Sequence, residues 1–343
     1  MNNHEYSLPF REVEVLVSNE ESGITLSGTL SLPQRQGKPS IVILFPGSGA
    51  VDRNSSFGTF KPFKVIADYL AIKGTAVFRF DKRGVGKSTG DFATATESDF
   101  VNDGYAVLKY LQSQNEINPK QIGVIGHSEG GLIASELASK TDDVSFLVLM
   151  ASPILTGKDN SSLVFTLLVN EDKTNTQNID EDKKTFDGFF NLVSKNSLSL
   201  TEKAECIQIA AQLLARMNNK TKTAMGFSNL SPEIFVNIFS IPWLHELLNS
   251  TPESILKKIR CPILGIYGCK DTQVPIQNSH ELKKTLTQFR NLDYTIKEIE
   301  NANHLFQRCK TGYPSEYSTV PKLLIPEVLV LMSEWISDKN NNE

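Results

Sequence analysis

Residues 122–131, with the sequence Ile-Gly-Val-Ile-Gly-His-Ser-Glu-Gly-Gly, constrain the fold of this chain more than any other stretch. The apolar start predicts a buried strand that ends at Gly126, and the small residues that follow predict a helix from about Ser128. Residues 126–130 fit G-x-S-x-G, the nucleophile elbow, in which glycines keep side chains out of a sharp turn. Such a turn projects the serine hydroxyl from the carboxyl end of a sheet, beside a helix amino end that favours negative charge. The stretch therefore predicts a nucleophilic Ser128; the alternative is an ordinary strand-turn-helix corner with an incidental serine.

Composition excludes several classes of protein. The 343 residues suffice for one large α/β domain with an insertion, or for two domains. The net charge of -4 and the lack of a basic cluster argue against a nucleic-acid partner. The apolar runs are only strand-length and the amino terminus is polar, which predicts no membrane span, no signal peptide and a cytoplasmic location. Four cysteines without C-x-x-C spacing are expected to be reduced.

The order of apolar runs predicts the architecture. Runs at 13–17 and 24–32 predict an opening antiparallel pair of strands. Later strands, predicted at 41–45, 76–80, 121–125, 146–150, 262–267 and 294–299, alternate with helical patterns. We therefore expect an α/β fold with a mostly parallel eight-stranded sheet, helices on both faces and binding at the carboxyl ends of the strands.

Residues 153–251 interrupt this alternation and predict an inserted helical cap, which leaves residues 1–152 and 252–343 as the core. Candidate cap helices span 163–171, 180–195, 201–217 and 232–249. Because the insertion follows strand 146–150, it should leave the sheet at its carboxyl end and cover Ser128. Phe189 and Phe190 are candidate substrate-binding residues; the alternative is that they pack the cap on itself.

A serine nucleophile needs a base and a group that orients the base. Of the five histidines, His304 lies in a turn after the last predicted strand, whereas the elbow should point His127 away from the site. Asp271 follows strand 262–267 directly and is the candidate third member; the alternative is an aspartate that caps a local turn. The order Ser128, Asp271, His304 is that of α/β-hydrolases.

Two further loops bear on the site. The oxyanion formed during attack needs two main-chain donors, for which the sequence offers Glu129 and, in residues 47–49, first Ser48 and then Gly49; the alternative for that loop is a flexible turn. Residues 81–88 are glycine-rich but lack the P-loop spacing, because Asp81 stands where the first glycine is required. We expect Asp81 and Arg83 to pair locally.

Taken together, these motifs resemble the bacterial carboxylesterases of the α/β-hydrolase superfamily. The resemblance rests on residues 46–49 with 52–53, on 81–88, on 126–131, and on 303–307 with 314–317. It implies an α/β-hydrolase fold and cleavage of short-chain, small-molecule acyl esters, with neither metal nor cofactor. The alternatives are an acyl-CoA thioesterase on the same triad and a non-catalytic ligand-binding relative. Lys220 and Lys222 alone support CoA binding, and they fit a solvated loop equally well. The oligomeric state is not predicted.

Overall fold

The computed structural model describes residues 9–171, 179–289 and 293–341, and all structural statements below refer to these ranges. The strands, in chain order, are β1 Phe10–Asn19, β2 Ile24–Pro33, β3 Ile41–Phe45, β4 Ala76–Phe80, β5 Ile122–His127, β6 Phe146–Met150, β7 Ile263–Gly268 and β8 Tyr294–Ile299. The helices are α1 Pro62–Ile72, α2 Glu97–Gln112, α3 Glu129–Lys140, α4 Gly157–Leu168, α5 Ile179–Val193, α6 Leu200–Arg216, α7 Asn219–Ala224, α8 Pro232–Ile238, α9 Pro242–Leu248, α10 Pro252–Leu256, α11 Gln277–Gln288 and α12 Pro326–Asn341.

All eight strands form one sheet in the order β1-β2-β4-β3-β5-β6-β7-β8. The β1–β2 and β2–β4 pairs are antiparallel. The remaining pairs, β4–β3, β3–β5, β5–β6, β6–β7 and β7–β8, are parallel. The predicted opening pair and the mostly parallel eight-stranded sheet are thus confirmed. Every residue of β3 through β7 is buried, because helices cover both faces of the sheet.

The position of β3 explains where a site can form. The chain adds β4 on one side of β3 and then crosses to add β5 on the other side. The connection after β3 therefore leads to one side and the connection after β5 leads to the other. Between them they leave a crevice at the carboxyl edge of the sheet. Residues 46–49 and Ser128 both lie at this edge.

Helices α4 through α9, which follow β6, are called here the helical segment. Most of its buried side chains form a second hydrophobic cluster, whereas Trp243 on α9 belongs to the cluster that surrounds the sheet. One continuous helix over 232–249 was predicted, but α8 ends at Ile238 and α9 begins at Pro242, because proline cannot continue a helix from the preceding turn. The two ends of the segment meet, since the Gly157 N–H donates to the Ser250 carbonyl at 3.1 Å.

Within the part of the chain that the structure describes, no helix has both the length and the apolar character needed to cross a bilayer. The four cysteines are free thiols, as their spacing predicted.

Candidate active site

Ser128 occupies the turn between β5 and α3, as the sequence predicted. Its φ of 54° and ψ of -127° lie in a region that residues with a Cβ rarely occupy. The turn is fixed on both sides, because the Ser128 N–H donates to the Met150 carbonyl and the Gly131 N–H donates to the Ser128 carbonyl, each at 2.9 Å. The side chain is half-buried, so it remains accessible at the carboxyl edge of the sheet.

The glycines around Ser128 allow main-chain segments to approach each other closely. A Cβ on Gly130 would lie 2.1 Å from the Phe45 carbonyl oxygen, and one on Gly126 would lie 2.2 Å from the Gly130 oxygen. Both contacts are with backbone, which a sheet and a helix hold in place. The elbow geometry therefore requires glycine at these two positions.

We expect Gly130→Ala to lower the free energy of unfolding by about 1–3 kcal/mol or more, because the added methyl group forces β3 and α3 apart. Gly188→Ala is the matched control, since Gly188 is exposed in α5 and its Cβ would meet no atom within 4 Å. That variant should be neutral or gain up to about 1 kcal/mol, because alanine favours helix. Urea denaturation of both variants measures the difference; equal stabilities would contradict the close-approach argument.

Asp271 and His304 meet at the same edge of the sheet. Asp271 follows β7, His304 follows β8, and the distance from Asp271 Oδ2 to His304 Nδ1 is 2.7 Å. The other carboxylate oxygen accepts hydrogen bonds from two main-chain N–H groups, Gln273 at 2.8 Å and Val274 at 2.9 Å. Because a carboxylate can only accept, Nδ1 carries the proton and the neutral imidazole presents its lone pair at Nε2. The buried pair thus holds the ring as a general base requires.

His127 does not point away from this pair, contrary to the expectation from the elbow. Its ring centroid lies 4.7 Å from that of His304, and its Nε2 bonds the His304 carbonyl oxygen at 2.9 Å. Since a carbonyl only accepts, Nε2 is the protonated nitrogen. Burial, followed by the neighbouring His304, lowers the pKa of His127 from 6.5 to about 3. His127 is therefore a neutral donor that fixes the main chain of His304.

This lowered pKa makes stability depend on pH. Below pH 6.5 the unfolded chain protonates His127 while the folded chain does not, so the folded state loses stability as pH falls from 6.5 towards 3. Between pH 8 and pH 5 the loss is roughly 2 kcal/mol. We expect His127→Gln to lack this part of the pH dependence, measured by denaturation at each pH. The exposed His280→Gln variant should keep the wild-type slope; equal slopes in all three proteins would contradict the argument.

The loop after β3 lies against the elbow. A Cβ on Gly47 would be 3.2 Å from the Cβ of Ser128, so the two turns are in contact. No described residue accepts a hydrogen bond from the N–H of Ser48 or Glu129. Gly49, with a φ of 93°, reverses the chain directly after Ser48. The structure thus brings the candidate donor loop beside Ser128 and leaves both main-chain donors unpaired within the described residues.

Comparison with known proteins gives the family. The family model described as "Serine aminopeptidase, S33" matches residues 58–308, which is more than half of the chain. The chain belongs to this family. Esterase EstD of Thermotoga maritima is 26% identical over 307 residues, which cover 88% of this chain and 63% of EstD. The chain therefore spans less than two thirds of the length of that relative.

Solved structures confirm the α/β-hydrolase fold of this serine aminopeptidase family member. The Pyrococcus furiosus esterase Pf2001 matches with a TM-score of 0.58 and 17% identity, covering 98% of this chain and 94% of that one. Est1E from Butyrivibrio proteoclasticus, with ferulic acid bound, matches with a TM-score of 0.52 and 16% identity, covering 94% and 96%. At these identities the likeness concerns the fold alone.

Three successive charged residues, Asp81, Lys82 and Arg83, follow β4 in this family member, and their partners differ from the prediction. Asp81 and Arg83 do not pair with each other. Asp81 bonds the Arg53 guanidinium at 2.8 Å, whereas Arg83 bonds Asp103 on α2 at 2.7 Å. Burial alone would raise the pKa of Asp81, but the hydrogen bonds from Arg53 hold it below its usual value. The predicted local pair does not form because Asp81, Lys82 and Arg83 each contact a different part of the chain.

Lys82 and Arg53 are buried residues near the site that belong to the motifs of the resemblance but received no role from the sequence. Arg53 links the loop after β3 to Asp81 and to Glu14 on β1, and Lys82 lies 2.9 Å from Glu129 Oε2. The signal that could have revealed a role for Lys82 is a run of three charges placed directly after a buried strand, where each charge needs a partner.

Tyr317 is another neighbour of Asp271, and the sequence assigned no role to it. Its hydroxyl accepts a hydrogen bond from Gln273 Nε2 at 2.8 Å, and the Gln273 N–H donates to Asp271. Burial, followed by the charge of Asp271, raises the pKa of Tyr317 well above its usual value. The phenol therefore stays neutral, and its ring contacts that of Phe57 at 5.8 Å.

Phe189 and Phe190 lie inside the helical segment. Both side chains are 0% exposed, and their rings contact each other at 5.1 Å and Phe239 at 5.8 and 5.6 Å. As packed here, neither can touch a substrate. Their arrangement corresponds to the alternative in which these residues pack the segment on itself, so an effect on substrate choice would be indirect.

Proposed function

We propose that this chain is a serine hydrolase that cleaves short-chain carboxylic esters through an acyl-enzyme. One observation carries the proposal: the buried Asp271–His304 pair, joined at 2.7 Å, lies against the residue that precedes the strained Ser128. A serine held in this turn beside an oriented imidazole has the parts that nucleophilic acyl transfer requires. The esterase names of EstD and Pf2001 point to the same reaction class.

The proposed reaction proceeds in two halves. His304 Nε2 takes the proton from Ser128 Oγ as the oxygen attacks the ester carbonyl, and it then gives this proton to the departing alcohol. Asp271 orients the imidazole and stabilises the imidazolium. The N–H groups of Glu129 and Ser48, with Gly49 as the second choice for the latter, hold the oxyanion. Water then releases the acid by the same steps, and no metal or organic cofactor is required.

We assign residues 153–251 to a cap over this site, inserted between core segments 1–152 and 252–343. In support, the helical segment reaches the loop that carries Asp271: Asn160 on α4 donates to the Gln273 carbonyl at 3.3 Å and accepts from Asn278 at 3.0 Å. A cap of limited volume favours short acyl groups, because each accepted methylene adds about 0.8 kcal/mol only while space remains.

An acyl-CoA thioesterase is the second candidate, and one observation favours it. A cavity of about 620 Å³ lies between α7 and residues 314–319, and Lys220 and Asn219 line it together with Ser318 and Thr319. One ammonium and several hydroxyls suit a phosphate-bearing leaving group. We favour ester hydrolysis over thioester hydrolysis, because the cavity presents a single cation and much of its lining is apolar.

Labelling with a fluorophosphonate, followed by peptide mapping, tests the proposal. We expect the label on Ser128 alone, and turnover of acetyl and butyryl esters above that of palmitoyl esters. The same panel includes acetyl-CoA and an aminoacyl anilide as thioester and amide probes. Absence of both labelling and ester turnover in folded protein would overturn the proposal, whereas faster cleavage of the thioester would favour the second candidate. Lys220→Met should then raise KM for the thioester, and Lys222→Met, outside the cavity lining, should not.

A further inference from the structure

Lys82 is a buried cation whose partner adjoins the proposed nucleophile. Its Nζ lies 2.9 Å from Glu129 Oε2, and the two side chains are 4% and 0% exposed. The ammonium also lies over the ring of Phe100, 4.7 Å from its centroid, and 5.8 Å from that of Phe92. A buried ion pair gives little net stability, because desolvation of both charges offsets their attraction. Stability alone is therefore a weak reason for this pair.

The Glu129 side chain has few other polar contacts. It is the first residue of α3, and Ser128 before it provides no side-chain cap to the helix. The second carboxylate oxygen, Oε1, is buried and has no hydrogen-bond partner among the described residues. Lys82 thus supplies the polar contact that fixes the direction of this side chain. The main-chain N–H of the same residue is the one that we assign to the oxyanion hole.

We propose that Lys82 is a positioning residue for ester hydrolysis, which acts through the Glu129 side chain to hold the Glu129 N–H in the oxyanion hole. This inference rests on the proposed function. It gives a role to Lys82, the middle residue of the three charges at 81–83, whose two neighbours hold the loop in place. Asp81 ties it to Arg53, and Arg83 ties it to α2, so the Lys82 backbone has little freedom to move.

The surroundings make Lys82 hard to replace. The Glu97 carboxyl group lies near Glu129. Its pKa is raised to about 8, first by burial and then by the negative charges of Glu129 and Glu246. Without the ammonium, Glu129 would face this carboxyl group with no compensating cation. The helical segment also shields the pair, because Trp243 packs on Phe92 at 5.7 Å and the Glu97 N–H donates to Glu246 at 2.7 Å.

The test compares Lys82→Met with wild type. Loss of a whole oxyanion donor costs about 10²–10³ in kcat, so a misplaced donor should lower kcat by about 10- to 100-fold with little change in KM. A trifluoromethyl ketone forms an oxyanion on Ser128, so its affinity should fall by a similar factor. Arg216→Met breaks the ion pair with the buried Asp182 inside the helical segment, away from this loop, and is the matched control. It should lower stability without changing the ratio of inhibitor affinity to KM.

The double variant Lys82→Met/Glu129→Met separates positioning from structure. Removal of both charges leaves neither buried without a partner, so stability should recover relative to Lys82→Met. The Glu129 N–H then keeps the main-chain restraints of the turn but loses the one that its side chain provides, so kcat should stay low. Should Lys82→Met fail to fold, the double variant carries the comparison with wild type by itself, since it removes the contact and leaves no buried charge without a partner.

Three outcomes distinguish whether the role of Lys82 and the proposed function hold. Reduced kcat and inhibitor affinity that persist in the stable double variant support the inference. Recovery of kcat together with stability, or an unchanged inhibitor affinity in Lys82→Met, overturns it and leaves the proposed function standing. A wild-type protein that neither reacts with the fluorophosphonate nor hydrolyses esters overturns the proposed function, and with it this inference.

Discussion

Replacement of Ser128 by alanine is expected to lower kcat for ester hydrolysis by a factor of about 10⁵–10⁶. The loss is large because the variant retains the proposed oxyanion donors and the Asp271–His304 pair but has no atom that can form the proposed acyl-enzyme. The fold should persist, since alanine removes only a half-buried hydroxyl and keeps the Cβ that the turn already accommodates. Burst kinetics with a chromogenic ester measure the loss, and circular dichroism checks the fold.

Ser135→Ala is the matched control for this variant. Ser135 lies on the same helix, α3, and its hydroxyl donates to the Gly131 carbonyl at 2.7 Å, away from solvent. Its removal should leave kcat within a few-fold of wild type. Near-normal hydrolysis by folded Ser128→Ala would remove Ser128 from the mechanism.

Asp271→Asn is expected to lower kcat by about 10⁴, in line with the loss that an acid-to-amide change causes in a serine triad. Asp271 Oδ2 accepts from His304 Nδ1, whereas Oδ1 is already engaged by two main-chain N–H groups. An asparagine that keeps its oxygen towards those N–H groups turns its NH₂ group to His304. The imidazole then adopts the tautomer with its proton on Nε2, which cannot accept the serine proton.

The three residues should also behave as one unit. His304→Ala combined with Asp271→Asn should cost little more than His304→Ala alone, because an orienting group is useless without its base. Measurement of kcat for the two single variants and the double variant gives the coupling. Multiplicative losses would mean that Asp271 acts independently of His304, contrary to the 2.7 Å contact.

Features set by neighbours along the chain could be predicted from the sequence. The strand, turn and helix around Ser128 follow from apolar periodicity and two glycines, and the eight strands follow from their spacing. Asp271 and His304 were located because each directly follows a predicted strand, and parallel strands place such loops at one edge. The family and the α/β-hydrolase fold agree with that reasoning.

Features set by long-range packing could not be predicted. Asp81 bonds a residue 28 positions away and Lys82 one 47 positions away, and no local pattern specifies which distant charge is the partner. His127 was placed wrongly because its partner, the His304 carbonyl, depends on how the loop after β8 folds back over the elbow. Phe189 and Phe190 have the helical spacing of a face, but the sequence does not say what that face contacts.

The two ends of the helical segment lie together, and this affects how much the length of the segment can vary between related chains. Gly157 and Ser250 are held together by a main-chain hydrogen bond, and a Cβ on Gly157 would lie 2.0 Å from the Leu247 carbonyl oxygen. A loop whose ends already touch can be lengthened at small entropic cost, about 0.6 kcal/mol for each doubling. β6 and β7 pair directly with each other in parallel on either side of this insertion. Insertions and deletions can therefore accumulate between these two residues while the registers that hold Ser128 and Asp271 remain in place, which makes this junction a natural point for grafting a different segment.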